Sequence, residues 1–400
     1  MVSIALLRLC AKRGFDLWLA ALLVSVAGRC WTLLSSLLIL PIVLSPVLVW
    51  GLDRVVWSAS TAPIGAGPVQ NYPVGWYVLL NSNEVDSTPQ KRLFCGREWV
   101  VYRTDGKIVV MNSECPHMGA DLSAGRVLPN GQIQCPYHGW RFDAEGKCAH
   151  VPTCASPPNA AQTTLRTREQ DGLVYAWNAS SPPNWTPERF GLDASNVSEG
   201  YVDVNQSVRT IVENSHDVGH LKHVHGVTYE DNAFFSVQWS VAQPVDSPTK
   251  KQIKIIGSQI TLRSKPWFVR WTNTDLPVVV RLRVEHHGPA VWRIPMEIDI
   301  MGRWNVKCTV VQQQIPMGDS FQTRNVTRVY ASNPLLRVLV LFVTLNEILT
   351  DNRIWKDAGF KTRGRLWSGL PNGNVGVHDR KISEFRRWFG QFKPKDRLEW

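Results

Sequence analysis

The sequence predicts an α+β chain in three parts: an N-terminal membrane helix segment, an all-β unit and a mixed α+β unit. Three observations predict it. A long apolar run ends near Leu52, short alternating runs punctuated by turn residues follow it, and longer strand-like runs then lie between two helical stretches. At 400 residues the chain exceeds what one hydrophobic core usually organises. With 44% hydrophobic and 19% charged residues and no low-complexity run, it is not a disordered, collagen-like or coiled-coil chain.

From Phe15 to Leu52 the chain is almost wholly apolar, interrupted by Asp16 and Arg29, and the 22 residues from Trp31 to Leu52 carry no charge. At about 1.5 Å per helical residue that run can cross a hydrocarbon layer of about 30 Å, with Pro41 and Pro46 as kinks. A cleaved signal peptide is the competing reading, since Arg8, Lys12 and Arg13 precede the stretch, but its apolar part is too long and ends in no clear cleavage site. A retained anchor is expected. A single span would place the remainder outside the cell, where the sequons at Asn178, Asn184, Asn196, Asn205 and Asn325 could be read; a hairpin turning at Arg29 returns the chain to the cytoplasm.

A Gly/Pro-rich linker, Ala62 to Val69, closes residues 1–70. Next come alternating runs at Trp99 to Arg103 and Lys107 to Met111, with turn signals at Thr104-Asp105-Gly106, Pro129-Asn130-Gly131 and Glu145-Gly146. They predict a small antiparallel β-domain over 71–180, ending after Leu173 to Trp177 at the Pro-rich stretch Ser180 to Pro187. Residues 181–400 carry strand-like runs at Gln252 to Ile256, Val278 to Val284, Val306 to Gln312 and Thr323 to Tyr330. Helical stretches near Thr210 to His223 and Leu335 to Trp355 flank them, with Ser332 as a candidate cap and Pro334 near the first turn of the second.

The net charge of +11 favours an acidic protein partner or anionic lipid. No nucleic-acid partner is expected, because the basic residues are scattered and form no cluster interleaved with stacking aromatics. Eight cysteines could make a disulfide scaffold, but Cys115 and Cys135 each precede a histidine at ligand spacing and the rest show no paired pattern. A reducing compartment and metal chemistry follow.

Cys115-Pro116-His117 and Cys135-Pro136-Tyr137-His138 give C-x-H, seventeen residues, then C-x2-H. Such a set could hold tetrahedral zinc. A [2Fe-2S] cluster fits better, because in a Rieske centre one iron takes two thiolates and the other two imidazoles, and each loop supplies one of each. Here the chain resembles the Rieske family. Ala120 and Tyr137 stand where the respiratory branch carries an extra Cys pair, which disfavours that branch.

Four of the ten histidines fall in Glu213 to His225: His216, His220, His223 and His225. Two imidazoles and a carboxylate on one side of a ferrous ion leave positions open for dioxygen. Helical spacing alone allows His216 with His220 or His220 with His223. Asn214, Asp217, His220 and His225 match the D-x2-H-x4-H pattern that Rieske non-haem iron oxygenases carry after an Asn. The resemblance therefore implies His220 and His225 as ligands of a mononuclear Fe(II), with Gly226 ending the helix and Asp217 bridging to a Rieske histidine of a neighbouring subunit. It also implies a third ligand at Asp351, in Asp351-Asn352-Arg353-Ile354-Trp355, ahead of Asp357 and Glu347; Glu347 lies one turn earlier as a supporting partner.

The same resemblance implies an α+β helix-grip (START-like) catalytic domain, a homotrimer, and electrons from a ferredoxin and ferredoxin reductase. No nicotinamide or flavin signature is present, so electrons must come from outside, and cytoplasmic donors favour the hairpin or a shallow anchor. The ending Arg386-Arg387-Trp388 to Gln391-Phe392 resembles the tail of cholesterol 7-desaturases and 3-ketosteroid 9α-hydroxylases. Lys356 and Lys361 are displaced from the usual lysine, and the usual Gln near Glu347 is absent. The expectation is a membrane-anchored monooxygenase or desaturase for a sterol. The alternatives are an oxygenase for another hydrophobic ring, aromatic or tetrapyrrole, and a Rieske electron-transfer protein.

Overall fold

The structure, a computed structural model, describes residues 57–59, 72–215, 217, 219–225, 228–229, 255–264, 278–300, 302–317, 322–357, 382, 385–386 and 388–392. Chain contacts divide it into residues 1–54 and 55–400, and the described residues belong to the second unit. The apolar run from Phe15 to Leu52 lies outside them; among the described residues no helix is long and apolar enough to cross a membrane.

The alternating runs form short antiparallel sheets. Arg97–Thr104 pairs with Gln90–Phe94 on one side and Lys107–Asn112 on the other. Leu173–Trp177 joins Thr167–Gln170 to Trp76–Asn81. Four strands of two or three residues, Arg126–Val127, Ile133–Gln134, Arg141–Phe142 and Cys148–His150, make a third sheet around the second Cys/His loop. His150 is half-buried in the last of these.

An eight-stranded sheet dominates the rest, in the order Trp57–Ala59, Val197–Val204, Thr323–Tyr330, Trp304–Pro316, Val291–Ile300, Val278–His287, Ile255–Ser264 and Thr228–Tyr229. All neighbours are antiparallel except Trp57–Ala59, which pairs parallel to Gly200–Val202 and brings part of the expected 1–70 segment, just before its linker, into the sheet. The Thr323–Tyr330 strand matches its expected bounds, whereas the run at Gln252 to Ile256 enters the described sheet only from Ile255.

Among the described residues three helices flank the sheet and carry the site residues: α1 (Val208–Asn214), α2 (Gly219–Val224) and α3 (Pro334–Asp357). The single helical stretch expected near Thr210 to His223 is thus interrupted after Asn214 and resumes at Gly219. Ser207 caps α1 by accepting from the Thr210 N–H at 3.2 Å. The cap of α3 is Asn333, not Ser332: its Oδ1 accepts from the Leu336 N–H at 3.1 Å, which puts Pro334 at the first helical position, where its missing N–H costs nothing.

Strand alternation gives the sheet two distinct faces. Arg337 of α3 reaches the Ser198 hydroxyl at 3.4 Å, so α3 lies on the face of Ser198, Val202, Asn325, Thr327, Gln312 and Gln314. Leu341, Leu345, Ile348 and Trp355 form its buried stripe. The opposite face meets the β-domain. There Arg328, almost fully buried, donates to Asn81 at 3.2 Å, pairs with Glu199 at 2.6 Å and donates to Gln313. The sequons at Asn178 and Asn325 are structural: both side chains are buried, and Asn178 accepts from the Gly75 N–H and donates to the Pro73 carbonyl, each at 2.8 Å.

Truncating Arg328 strands Glu199 at this junction. Arg328→Ala should lower the unfolding free energy by about 2–3 kcal/mol, below the about 3–5 typical of fully buried pairs because Glu199 keeps a third of its side chain in water. Urea denaturation measures the loss, and a change under about 0.5 kcal/mol, the scale of an ordinary surface substitution, would contradict it.

Candidate metal centres

The two Cys/His loops are built alike. In each, the cysteine N–H donates to a carbonyl five residues on, Cys115 to Ala120 and Cys135 to Trp140, both at 2.8 Å. In each, a glycine N–H returns to the cysteine carbonyl, Gly119 to Cys115 at 2.9 Å and Gly139 to Cys135 at 3.2 Å. Gly119 and Gly139 have φ of +75° and +72°, a left-handed turn that other residues adopt only with strain. The repeated turn sets two thiols at the base and two imidazoles at the tip. Cys115 and Cys135 are buried, His117 and His138 are exposed, and the imidazole centroids lie 4.6 Å apart.

Burial pushes the Cys115 thiol up to about 11; the His117 backbone N–H works against that shift and the neighbouring Cys135 adds to it. An empty site therefore keeps this thiol protonated, and a metal must displace the proton. Two adjacent buried sulfurs below two exposed imidazoles match the unequal donor demand of a two-iron cluster better than that of a closed tetrahedral ion. Trp140 stacks on His117 at 4.6 Å and 10°, and Tyr137 lies 3.9 Å from His138, which fixes both rings. The cysteines at 95, 115, 135, 148, 154 and 308 are all unbridged.

The second constellation assembles from α1, α2 and α3. His220, His225 and Asp351 each offer one donor atom, all within 4.8 Å of one another. The Nδ1 of His220 contacts the Asp217 carbonyl, and that of His225 contacts Glu347, while Nε2 of His225 stands 3.1 Å from Asp351 Oδ1. Occupying each Nδ1 leaves both Nε2 atoms directed toward Asp351, the second-sphere pattern that orients metal-binding imidazoles. Asn214 donates to Asp351 Oδ2 at 2.8 Å and lies 3.3 Å from His220 Nε2. Burial pulls the His225 pKa down, but Asp351 and Glu347 outweigh it and raise the pKa to about 9. A bound cation would take the place of that proton between the carboxylates.

Each expected residue can now be placed. The structure brings His220, His225 and Asp351 together and sets Glu347 against His225. Asp217 is partly exposed, with its carboxylate 4.0 Å from His220 Nδ1. His223 is exposed, while His216, Gly226 and the Asp357 side chain lie outside the described residues. No sequence pattern singles out His286, which is fully buried in a strand 71 residues beyond Ser215 and whose Nε2 lies 2.8 Å from that hydroxyl. Ser215 also donates to the Val212 carbonyl at 2.7 Å, so His286 braces the end of α1 that presents Asn214.

Residues 75–167 match the family model described as the Rieske [2Fe-2S] domain. The chain is 25% identical over 341 residues to cholesterol 7-desaturase nvd 1 of Ciona intestinalis, covering 80% of this chain and 68% of that protein. The chain resembles the Rieske oxygenases of the cholesterol 7-desaturase branch. Aminopyrrolnitrin oxygenase PrnD of Pseudomonas fluorescens is 36% identical over 185 residues, 42% of this chain and about half, 51%, of that protein. A crystal structure of dicamba monooxygenase bound to 3,6-dichlorosalicylic acid superposes with a TM-score of 0.62 at 19% identity, covering 82% of this chain and 98% of that one, which shows a shared fold.

The protein is an oxidoreductase with a [2Fe-2S] cluster and a mononuclear iron. Protein purified anaerobically should contain about three irons and about two acid-labile sulfides per chain. Iron and sulfide analysis checks this, and a reproducible two irons would contradict it.

Proposed function

We propose that this Rieske oxygenase uses dioxygen and an externally supplied electron pair to desaturate or hydroxylate a sterol-type substrate, held near a membrane by its N-terminal segment. The convergence of His220, His225 and Asp351 carries the reading, because a protein that only passes electrons needs no second metal site. Cys115, Cys135, His117 and His138 hold the cluster, and His220, His225 and Asp351 hold the ferrous ion. When bound, the cluster supplies single electrons and the ferrous ion activates dioxygen.

The protein's own groups do the positioning. Asn214 ties Asp351 and so fixes which carboxylate oxygen remains free. Glu347 and the Asp217 carbonyl hold the two imidazoles in the orientation that presents Nε2. The tail residues bind the site to the rest of the unit: Arg386 pairs with Glu213 of α1, with Nε 2.9 Å from Oε2, and the Phe392 carbonyl accepts from the Val74 N–H at 2.7 Å.

Within one chain the β-domain packs on one face of the large sheet and α3, with Asp351, on the other. Electrons therefore reach the mononuclear site from a neighbouring copy, whose exposed imidazoles meet Asp217; a homotrimer closes such a head-to-tail arrangement. Met118 and Tyr137, about two-thirds exposed beside the cluster histidines, suit protein contact there. The external donor is a ferredoxin reduced by its reductase, and the chain's +11 charge favours an acidic one.

Cholesterol 7-desaturases matching 80% of the chain support the sterol. An aromatic ring is the second reading, supported by the higher local identity to aminopyrrolnitrin oxygenase. Full-length protein in membranes, given a ferredoxin–reductase pair and panels of sterols and aromatic rings, should yield a desaturated or hydroxylated sterol by mass spectrometry. Product from the aromatic panel alone would overturn the sterol assignment.

Asp351→Ala and His225→Ala should each remove the third iron and all turnover while leaving the reduced-cluster paramagnetic spectrum intact. Asn214→Ala should weaken iron retention by about 10–100-fold, as loss of a partner that orients a ligand does. Iron titration against a chelator reads both effects, and wild-type retention in Asn214→Ala would refute its role.

A further inference from the structure

The layer between the large sheet and α3 holds buried amides whose hydrogen-bonding capacity the protein does not meet. Gln314 and Asn325 are cross-strand partners on the α3 face, 1% and 0% exposed. Among the described residues neither Nε2 nor Oε1 of Gln314 has a partner, and Nδ2 of Asn325 has none, although Asn325 Oδ1 accepts from Thr327 at 3.1 Å. Across the layer, Asn352 follows Asp351 on α3 and continues the buried stripe of Leu345 and Ile348; it is 2% exposed with Oδ1 unpartnered.

Their level along α3 follows from two fixed points. Arg337 meets Ser198, and Gln206 Nε2 donates to the Trp355 carbonyl at 3.3 Å, so α3 runs alongside the chain from Ser198 to Gln206. Both paths measure about 26–27 Å at ordinary strand and helix rises, so they keep step. Val202, which pairs with Asn325, is midway. The amides of Gln314 and Asn325 therefore lie level with the turn of Glu347, one turn before Asp351.

A buried amide without a partner costs about 1–3 kcal/mol, and these three face one layer from its two sides, near the turns of α3 that carry Glu347 and Asp351, where a group that enters could pair with them. The unmet groups are two N–H donors, from Gln314 and Asn325, and two carbonyl acceptors, from Gln314 and Asn352. Such a set matches a hydroxyl, which both donates and accepts. It opposes a carboxylate, which would meet two carbonyl oxygens and no formal positive charge.

We propose that Gln314, Asn325 and Asn352 form the recognition site for a neutral hydroxyl group on the substrate. The identification of that hydroxyl with a sterol alcohol rests on the proposed function; the preference for a neutral alcohol does not. Binding the hydroxyl there sets the distance from it to the ring carbon presented at Asp351, so these are specificity residues.

The test uses full-length holoprotein carrying Gln314→Met or Asn325→Leu, near-isosteric changes that remove the amides. Both variants should keep iron content, and Gln314→Met should keep a thermal midpoint at or above wild type, since its unpaired amide is replaced by an apolar group; Asn325→Leu also loses the Thr327 hydrogen bond, so the midpoint criterion applies to Gln314→Met. For a 3-hydroxysterol KM should rise about tenfold or more with kcat little changed, while for the 3-deoxy sterol wild type and variants should be alike. A lowered midpoint with unchanged KM, or equal losses on both sterols, would overturn the proposal and mark the amides as structural. If wild type turns over neither sterol, the sterol assignment fails separately. Substrate-stimulated oxygen consumption with matched aromatic alcohols and acids then decides: alcohol preference that the variants abolish supports the hydroxyl site, and acid preference refutes it.

Discussion

Asp351 has to leave water and still find partners. A carboxylate on the buried side of a long helix must have its oxygens met by the protein, and here the Asn214 amide at 2.8 Å and the His225 imidazole at 3.1 Å meet them. Those partners come from segments more than a hundred residues earlier, so the sheet that carries α1 and α3 must close before the site exists. The reach of Gln206 to the Trp355 carbonyl and of Arg337 to Ser198 locks α3 at both ends. The metal centre thus depends on helix registration, and registration depends on hydrogen bonds made far from the metal.

The cluster site is the reverse case, a local one. Each loop closes on its own backbone within five residues, and each uses one glycine in a left-handed turn. Little beyond the β-domain is needed to shape it, which is why burial can be divided so sharply between thiols and imidazoles. Hydrophobic residues beneath the loops, among them Leu122, Ile133 and Phe142, exclude water from the sulfurs, whereas the imidazoles face solvent, where a partner can approach.

This contrast explains what could be read from the chain. The cluster loops were legible because ligand spacing, proline and glycine all sit within a few positions of one another. His220 and His225 were legible only through a resemblance, since helical spacing favoured other pairs; the end of α2 at Val224 is what frees His225 from that periodicity. Strands with one buried face, such as Thr323 to Tyr330, announced themselves by alternation. Trp76 to Asn81 and Val291 to Ile300 did not: the first is buried almost throughout and the second carries an interior proline, so neither shows a clean period. Ser332 resembled a cap by composition, but Asn333 is the residue adjoining Pro334, and the proline fixes where the helix begins.

The two faces of the large sheet assign opposite tasks to similar chemistry. On the β-domain face, buried polar groups find each other: Arg328 takes Gln313, Glu199 and Asn81. On the α3 face, one strand position away, neither polar atom of the Gln314 amide has a partner among the described residues. Composition cannot account for that difference, because these are adjacent glutamines of one strand. Alternation does account for it: one glutamine turns its carbonyl to Arg328 in the junction, with only its amide nitrogen left over, and the other faces the layer beside Asp351. A junction that only holds two domains together gains from satisfying every polar group, whereas a layer that receives a ligand gains from leaving some unsatisfied until the ligand arrives.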